Sequence, residues 1–255
     1  GLLFLFLLCL YPFLRLQSCL DDSFFKGTKQ LNDSNLKENY FDSIFSSISS
    51  SLTEMGAPIP AVSKIAMEDN SPYRILASTI ISLRTRDSVT WECSMNLFRL
   101  APKLEDLYSV DESLVAESIK KCGFYLRKAN QLKRIAQIVM EEWNGEIPSD
   151  MDKLMSLPGV GIKTASLVLN LSFNMDAICV DCHVHQISNR LGWVDTDKPE
   201  DTEKELKKIL PKKFWITINE LFVMWGQNVC TPISPKCSIC PLAGMCPKIG
   251  EERTR

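Results

Sequence analysis

Four cysteines within seventeen residues near the C-terminal end constrain this chain more than any other feature. Cys230, Cys237, Cys240 and Cys246 follow the spacing C-x6-C-x2-C-x5-C. A disulfide framework would pair cysteines across a small secreted domain. This chain has 255 residues, enough to bury a large core without covalent staples. The cluster therefore reads as ligation of a metal centre in a reducing compartment. Four thiolates bind zinc readily, but zinc sites usually show two close Cys-x2-Cys pairs. Here only one pair is close. The long outer spacings suit a cubane iron–sulfur cluster, which spreads its ligands over a larger body. Spacing favours iron–sulfur and leaves zinc open. His183 and His185 are the only histidines, so no multi-histidine site is expected.

The rest of the chain reads as helical. Apolar residues recur at helical spacing in Ile75/Thr79/Ile80/Leu83, in Leu132/Ile135/Ala136/Val139 and in Ala165/Val168/Leu169. Alternating strand patterns are almost absent, and prolines fall where helices should begin or end. The expected class is all-α. The apolar fraction of 45% and the net charge of -2 exclude a polytopic membrane protein and a chain-wide polycation. Any nucleic-acid surface must then be a local patch. One candidate is the run Lys120, Lys121, Arg127, Lys128, Lys133 and Arg134, which contains no acidic residue, although such runs are usually a solvated helix face. Residues 2–14 are almost entirely apolar. They are too short for a membrane span and lack the basic segment of a signal peptide. Residues 1–37 are expected to be stray apolar sequence plus linker, outside the fold, and no membrane partner is expected.

Two further motifs carry chemistry. Leu157-Pro158-Gly159-Val160-Gly161-Ile162-Lys163-Thr164-Ala165 lies between two helical stretches. A plain helix–helix turn explains one glycine and the proline. It explains less readily Gly-Val-Gly followed by a lysine. Glycines let a backbone approach closely, and unpaired amides at a helix start bind phosphate. In Cys179-Val180-Asp181-Cys182-His183, Asp181 fits an N-cap of the helix that follows. It also fits a catalytic carboxylate, and both roles are compatible.

Together these residues resemble the endonuclease III family of DNA glycosylases, in the helix-hairpin-helix superfamily. The resemblance covers about residues 38–248. It is carried by LPGVGIKTA, by CVDCHVH with the NRLGW after it, and by the cysteine array. It implies two helical lobes. A six-helix domain over 70–177 would hold the helix-hairpin-helix at 147–171. Residues 38–69 plus 178–255 would form a second lobe holding a [4Fe–4S] cluster on Cys230, Cys237, Cys240 and Cys246. The resemblance further implies a base-excision-repair glycosylase acting on oxidised pyrimidines, with strand cleavage at abasic sites. Lys163 matches the family's nucleophile, which attacks C1′ and forms a Schiff base. Asp181 matches its partner, which takes the lysine proton and steadies positive charge on the sugar.

Double-stranded DNA carrying damaged bases or abasic sites is the implied partner of a monomer. Gly159, Val160, Gly161, Arg84, Phe124, Lys236 and His183 are the expected DNA contacts. Phe124 stands where the family often has a leucine wedge. Arg84 stands where the best-known members have a glutamine that fills the gap left by the flipped base. The cluster loop keeps one basic residue, Lys236, where relatives often carry several. The protein would work intracellularly with the DNA: in the nucleus or mitochondrion of a eukaryote, or the cytoplasm of a prokaryote. The alternatives are a thymine or uracil mismatch glycosylase of the same superfamily, and a non-catalytic DNA-binding module.

Overall fold

A computed structural model describes residues 34–250 and 254–255. The expectation for residues 1–37 lies outside the described residues as far as residue 33. Residues 34–37 open the first helix. No strand occurs among the described residues, and no helix among them is long and apolar enough to cross a membrane.

Two hydrophobic cores organise the helices. The first is built by α2 (Ala61–Glu68), α3 (Pro72–Ser82), α4 (Asp87–Leu100), α5 (Leu104–Ser109), α6 (Glu112–Ser118), α7 (Tyr125–Glu142), α8 (Met151–Ser156) and α9 (Ile162–Phe173). At its centre lies α3, apolar on nearly every side and so buried nearly all round, with α2, α4 and α9 packed against it. Pro72 starts α3 at a position where its missing N–H is not needed. The second core joins α1 (Ser34–Glu54) to α10 (Cys182–Arg190), α11 (Pro199–Ile209) and α12 (Thr217–Asn228). Phe41, Ile44, Phe45, Ile48 and Leu52 repeat every three or four residues along α1 and are all buried. Phe41 and Phe45 meet Trp193, Phe214 and Phe222 there.

The family resemblance implies that residues 38–69 join the second lobe, but α2 belongs to the first core. Val62 and Ile65 are part of that core. The Lys64 ammonium lies 3.8 Å from the Trp91 ring centroid. The turn at Gly56, with φ 58°, ends α1 and lets the chain cross between cores. Asp87 ties the crossing together. Its Oδ1 accepts from the Ala61 amide at 3.3 Å and its Oδ2 accepts from Gln227 Nε2 on α12 at 3.0 Å.

Candidate active site

The hairpin is made by α8, a five-residue turn and α9. Asp150 caps α8 by accepting from the Lys153 amide at 2.8 Å. Gly159 has φ 71°, in the left-handed region. A Cβ on Gly159 would come within 2.4 Å of the Gln131 side chain on α7. This position therefore requires glycine twice over, for its dihedral and for its neighbour. Gly161 differs. Its φ is -102°, it is the N-cap of α9, no side chain caps that helix, and nothing lies within 4 Å of a Cβ built on it. Packing within the chain does not explain why Gly161 lacks a side chain.

Lys163 sits in the first turn of α9. Its Nζ lies 3.5 Å from Asp181 Oδ2; the lysine side chain is 43% exposed and the aspartate 6%. Asp181 caps α10, its Oδ1 accepting from the His183 and Val184 amides, both at 2.9 Å. The carboxylate is therefore divided, one oxygen fixed by the helix start and the other turned to the amine. The N-cap reading of Asp181 is observed, and the same geometry leaves Oδ2 beside the lysine amine, as the catalytic reading requires. Two asparagines that the sequence does not single out hold the segment before it. Asn170 donates to the Ala177 carbonyl at 2.9 Å and Asn219 to the Cys179 carbonyl at 3.1 Å. Burial pushes the Cys179 thiol up to about 12, so it stays protonated beside the lysine; its Sγ contacts the Lys163 carbonyl at 3.5 Å.

Arg84 and Phe124 lie on neighbouring loops of the first core. A Cβ on Gly123 would be 3.5 Å from the Arg84 carbonyl. Arg84 is exposed and Phe124 is 64% exposed, so Phe124 is no core residue. Both have left-handed backbones, φ 53° and 58°, which side-chain-bearing residues rarely adopt. His183 is half-buried, and its ring packs on Gly226 of α12, where a Cβ would come within 2.2 Å of Nδ1. His185 Nδ1 lies 2.7 Å from Thr202 Oγ1.

Four of the six basic residues in the run have partners within the protein, two at the surface and two turned inward. Lys120 pairs with Glu117 and Lys121 with Glu92. Lys133 donates to the carbonyls of Leu107, Tyr108 and Val110 at the end of α5. Lys128 is 5% exposed. Only Arg127 and Arg134 project from α7, with no ion pair among the described residues. The basic character was legible in the sequence; the inward turn of Lys128 and Lys133 was not.

All four clustered cysteines line one cavity of about 30 Å³, with Arg190 and Lys236 at its walls. Among the described residues no three His, Cys, Asp or Glu side chains converge on a single ion. The four residues share one cavity instead, which suits a multi-atom cluster held between them. Burial pushes Cys240 up to about 11 and raises Cys230 and Cys246, with Arg190 opposing the rise at Cys230. Such thiols become thiolates when metal charge replaces their protons, so the donor set suits the group. Arg190 holds the loop, donating to the carbonyls of Thr231 at 2.8 Å and Pro232 at 3.0 Å.

Comparison with known proteins agrees with this geometry. Residues 77–212 match the HhH-GPD superfamily base excision DNA repair protein family, and residues 230–246 match the iron–sulfur binding domain of endonuclease III. Endonuclease III of Thermotoga maritima is 41% identical over 179 residues, 70% of this chain and 84% of that one. The chloroplastic endonuclease III homolog 1 of Arabidopsis thaliana is 41% identical over 191 residues, 71% of this chain and half of that one. A solved structure of a trapped endonuclease III–DNA covalent intermediate superposes with a TM-score of 0.72 at 29% identity, over 83% of this chain and 96% of that one. A thermostable thymine-DNA glycosylase shares the fold, with a TM-score of 0.70 at 24% identity. The cofactor is a [4Fe–4S] cluster. The chain belongs to the endonuclease III family, the iron–sulfur base-excision-repair DNA glycosylases of the HhH-GPD superfamily.

Proposed function

We propose that the protein removes oxidised pyrimidines from duplex DNA and then cuts the strand at the abasic site, with Lys163 as nucleophile and Asp181 as its proton acceptor. The observation that carries this reading is the Lys163–Asp181 pair at 3.5 Å, with an accessible amine above a buried carboxylate. In the reaction, Asp181 Oδ2 takes a proton from the Lys163 ammonium. The amine attacks C1′, the C1′–N bond to the base breaks, and the departing base takes up the proton held by Asp181, which returns to its carboxylate form. The C1′–O4′ bond then breaks, O4′ taking up a proton as the sugar ring opens, and the resulting protonated imine acidifies the C2′ proton. Loss of that proton breaks the C3′–O bond by β-elimination, and water releases the lysine. As positive charge builds on the sugar, Asp181 steadies it, held in place by two amides rather than by solvent.

DNA would lie across the face between the two cores. The backbone amides of Gly159, Val160 and Gly161 would hold a phosphate, and the open space at Gly161 leaves room for it. Phe124 would wedge into the stack and Arg84 would fill the vacated position. Lys236 and His183 are the remaining contacts of this reading. Cys230, Cys237, Cys240 and Cys246 would hold the cluster, whose bound state supplies a rigid loop and no electron-transfer step. The two-lobed division, the monomeric state and residence with the cell's DNA belong to the same proposal. Borohydride trapping on a duplex with one abasic site is the test. The wild-type chain should form a covalent adduct and Lys163→Gln none. An adduct at wild-type level in the variant means another group attacks.

A further inference from the structure

The buried Lys128 makes contacts that neither the sequence pattern nor the catalytic pair explains. Its side chain leaves α7 and runs inward, 5% exposed. Its Nζ donates to the carbonyl of Ile81 at 2.7 Å, the carbonyl of Leu83 at 2.8 Å and the hydroxyl of Thr85 at 2.8 Å. All three ammonium protons are thus used, and all three acceptors belong to the turn that closes α3 and carries Arg84. No carboxylate forms an ion pair with it among the described residues. What compensates the charge is the C-terminal end of α3, where carbonyls point outward and the helix dipole is negative. Burial pulls the Lys128 pKa down, with the Cys122 and Cys93 thiols beside it acting the other way. Its three acceptors, all under 3 Å away, hold the cation.

The same residue is bound to the other DNA-facing loop. The Lys128 amide donates to the Phe124 carbonyl at 3.0 Å, closing the first turn of α7. Phe124 and Arg84 both hold left-handed backbones, a conformation that persists only where the surroundings over-determine it. Before Arg84 the carbonyls of Ile81 and Leu83 accept from Lys128 Nζ, and after it the Thr85 hydroxyl does so too. The two strained positions are thereby joined through one residue, its side chain on the Arg84 turn and its backbone amide on Phe124.

We infer that Lys128 is a positioning residue: it locks the Arg84 turn to the Phe124 loop, so that the two side chains enter damaged duplex DNA in fixed register. The inference rests on the reading of Arg84 and Phe124 proposed above. Lys128 touches no substrate. It acts through Arg84, and its loss leaves the Arg84 turn free to shift by an ångström or more.

The test is single-turnover base release from a duplex with one oxidised pyrimidine, for wild type, Lys128→Met, Arg84→Ala and the double variant. Methionine keeps the stem and removes all three donors. Lys128→Met should lower the rate by about 10²-fold, the loss expected when a group near the chemistry is misplaced by an ångström. In the Arg84→Ala background the same substitution should change the rate by no more than about twofold, since the side chain it positions is gone. A loss of equal size in both backgrounds, or no loss in either, overturns the inference. A general weakening of the fold would lower both rates alike and would appear as a fall in Tm in both. Thr85→Val removes a single acceptor and keeps the test open if Lys128→Met does not fold. Its deficit should be smaller, should also vanish in the Arg84→Ala background, and its persistence there would refute the inference. If the wild-type chain releases no base, or Arg84→Ala matches wild type, it is the proposed function that fails.

Discussion

Replacing Asp181 separates its two jobs, because each oxygen has a different partner. Asp181→Asn keeps an acceptor for the His183 and Val184 amides and removes the charge facing Lys163. Asparagine caps helices about as well as aspartate. What is lost structurally is a charge at a helix start, about 0.3–1 kcal/mol. The ion pair adds little, because the Lys163 side chain is 43% exposed and such pairs contribute about 0–1 kcal/mol. In a chain of this size Tm should fall by about 1–8 °C. Base release should fall far more, by about 10² to 10⁴, as developing sugar charge loses its fixed counter-charge. Asp181→Ala loses the cap as well, a further ~1–2 kcal/mol, and its Tm should lie about 2–8 °C below that of Asp181→Asn. The two variants should therefore share a rate defect and differ in Tm, measured by single-turnover glycosylase assay and by thermal melting. On a pre-formed abasic site Asp181→Asn should still trap with borohydride, since imine formation needs mainly the amine. Wild-type base release by Asp181→Asn, or equal melting of the two variants, would refute the reasoning.

The two hairpin glycines should respond in opposite ways. Gly159→Ala forces a left-handed alanine against Gln131 and should lower stability by about 1–3 kcal/mol, read as a lower Tm. Gly161→Ala should melt like wild type, because its site is open and its backbone extended; a methyl there should weaken binding of abasic duplex by about tenfold or more through lost amide–phosphate bonds. Equal effects on both measurements would show that the hairpin is structural alone. Chain purified without oxygen should be brown and hold iron with inorganic sulfide, and stoichiometric zinc in its place would be decisive against the cluster. Stripping the metal should expose residues 231–248 to limited proteolysis while the first core stays protected; unchanged cleavage would mean that the loop stands without it.

Much of the fold was legible because its signals are local. Period-3.6 patterns with prolines at their ends gave the helices, and Pro-Gly-x-Gly gave the hairpin. Lys163 and Asp181 were legible as a pair only through the family resemblance, since eighteen residues separate them. What could not be read depends on packing direction. A lysine in a basic stretch of helix usually faces water, so nothing local marks Lys128 and Lys133 as turned inward onto carbonyls. The placement of α2 was equally hidden, because apolar residues such as Val62 and Ile65 would serve either core and only packing puts them in the first.

The position of Asp181 also depends on features remote from it in sequence. It caps α10 at one end; at the other end Arg190 is bonded to the loop between Cys230 and Cys237. Between them Gln186 donates to the Cys230 carbonyl at 3.0 Å, and Asn189 accepts from the Thr196 amide at 3.0 Å. A helix of nine residues has little stability of its own, so these side bonds and the second core hold it in place. The cysteine loop lies beside the far end of the helix that aims the carboxylate. A loosened loop should therefore disturb α10 first and the Lys163–Asp181 distance through it, while Lys163, anchored in the first core by α9, stays where it is. That gives the cysteine array a reason to accompany the lysine–aspartate pair in a reaction that uses no electron transfer.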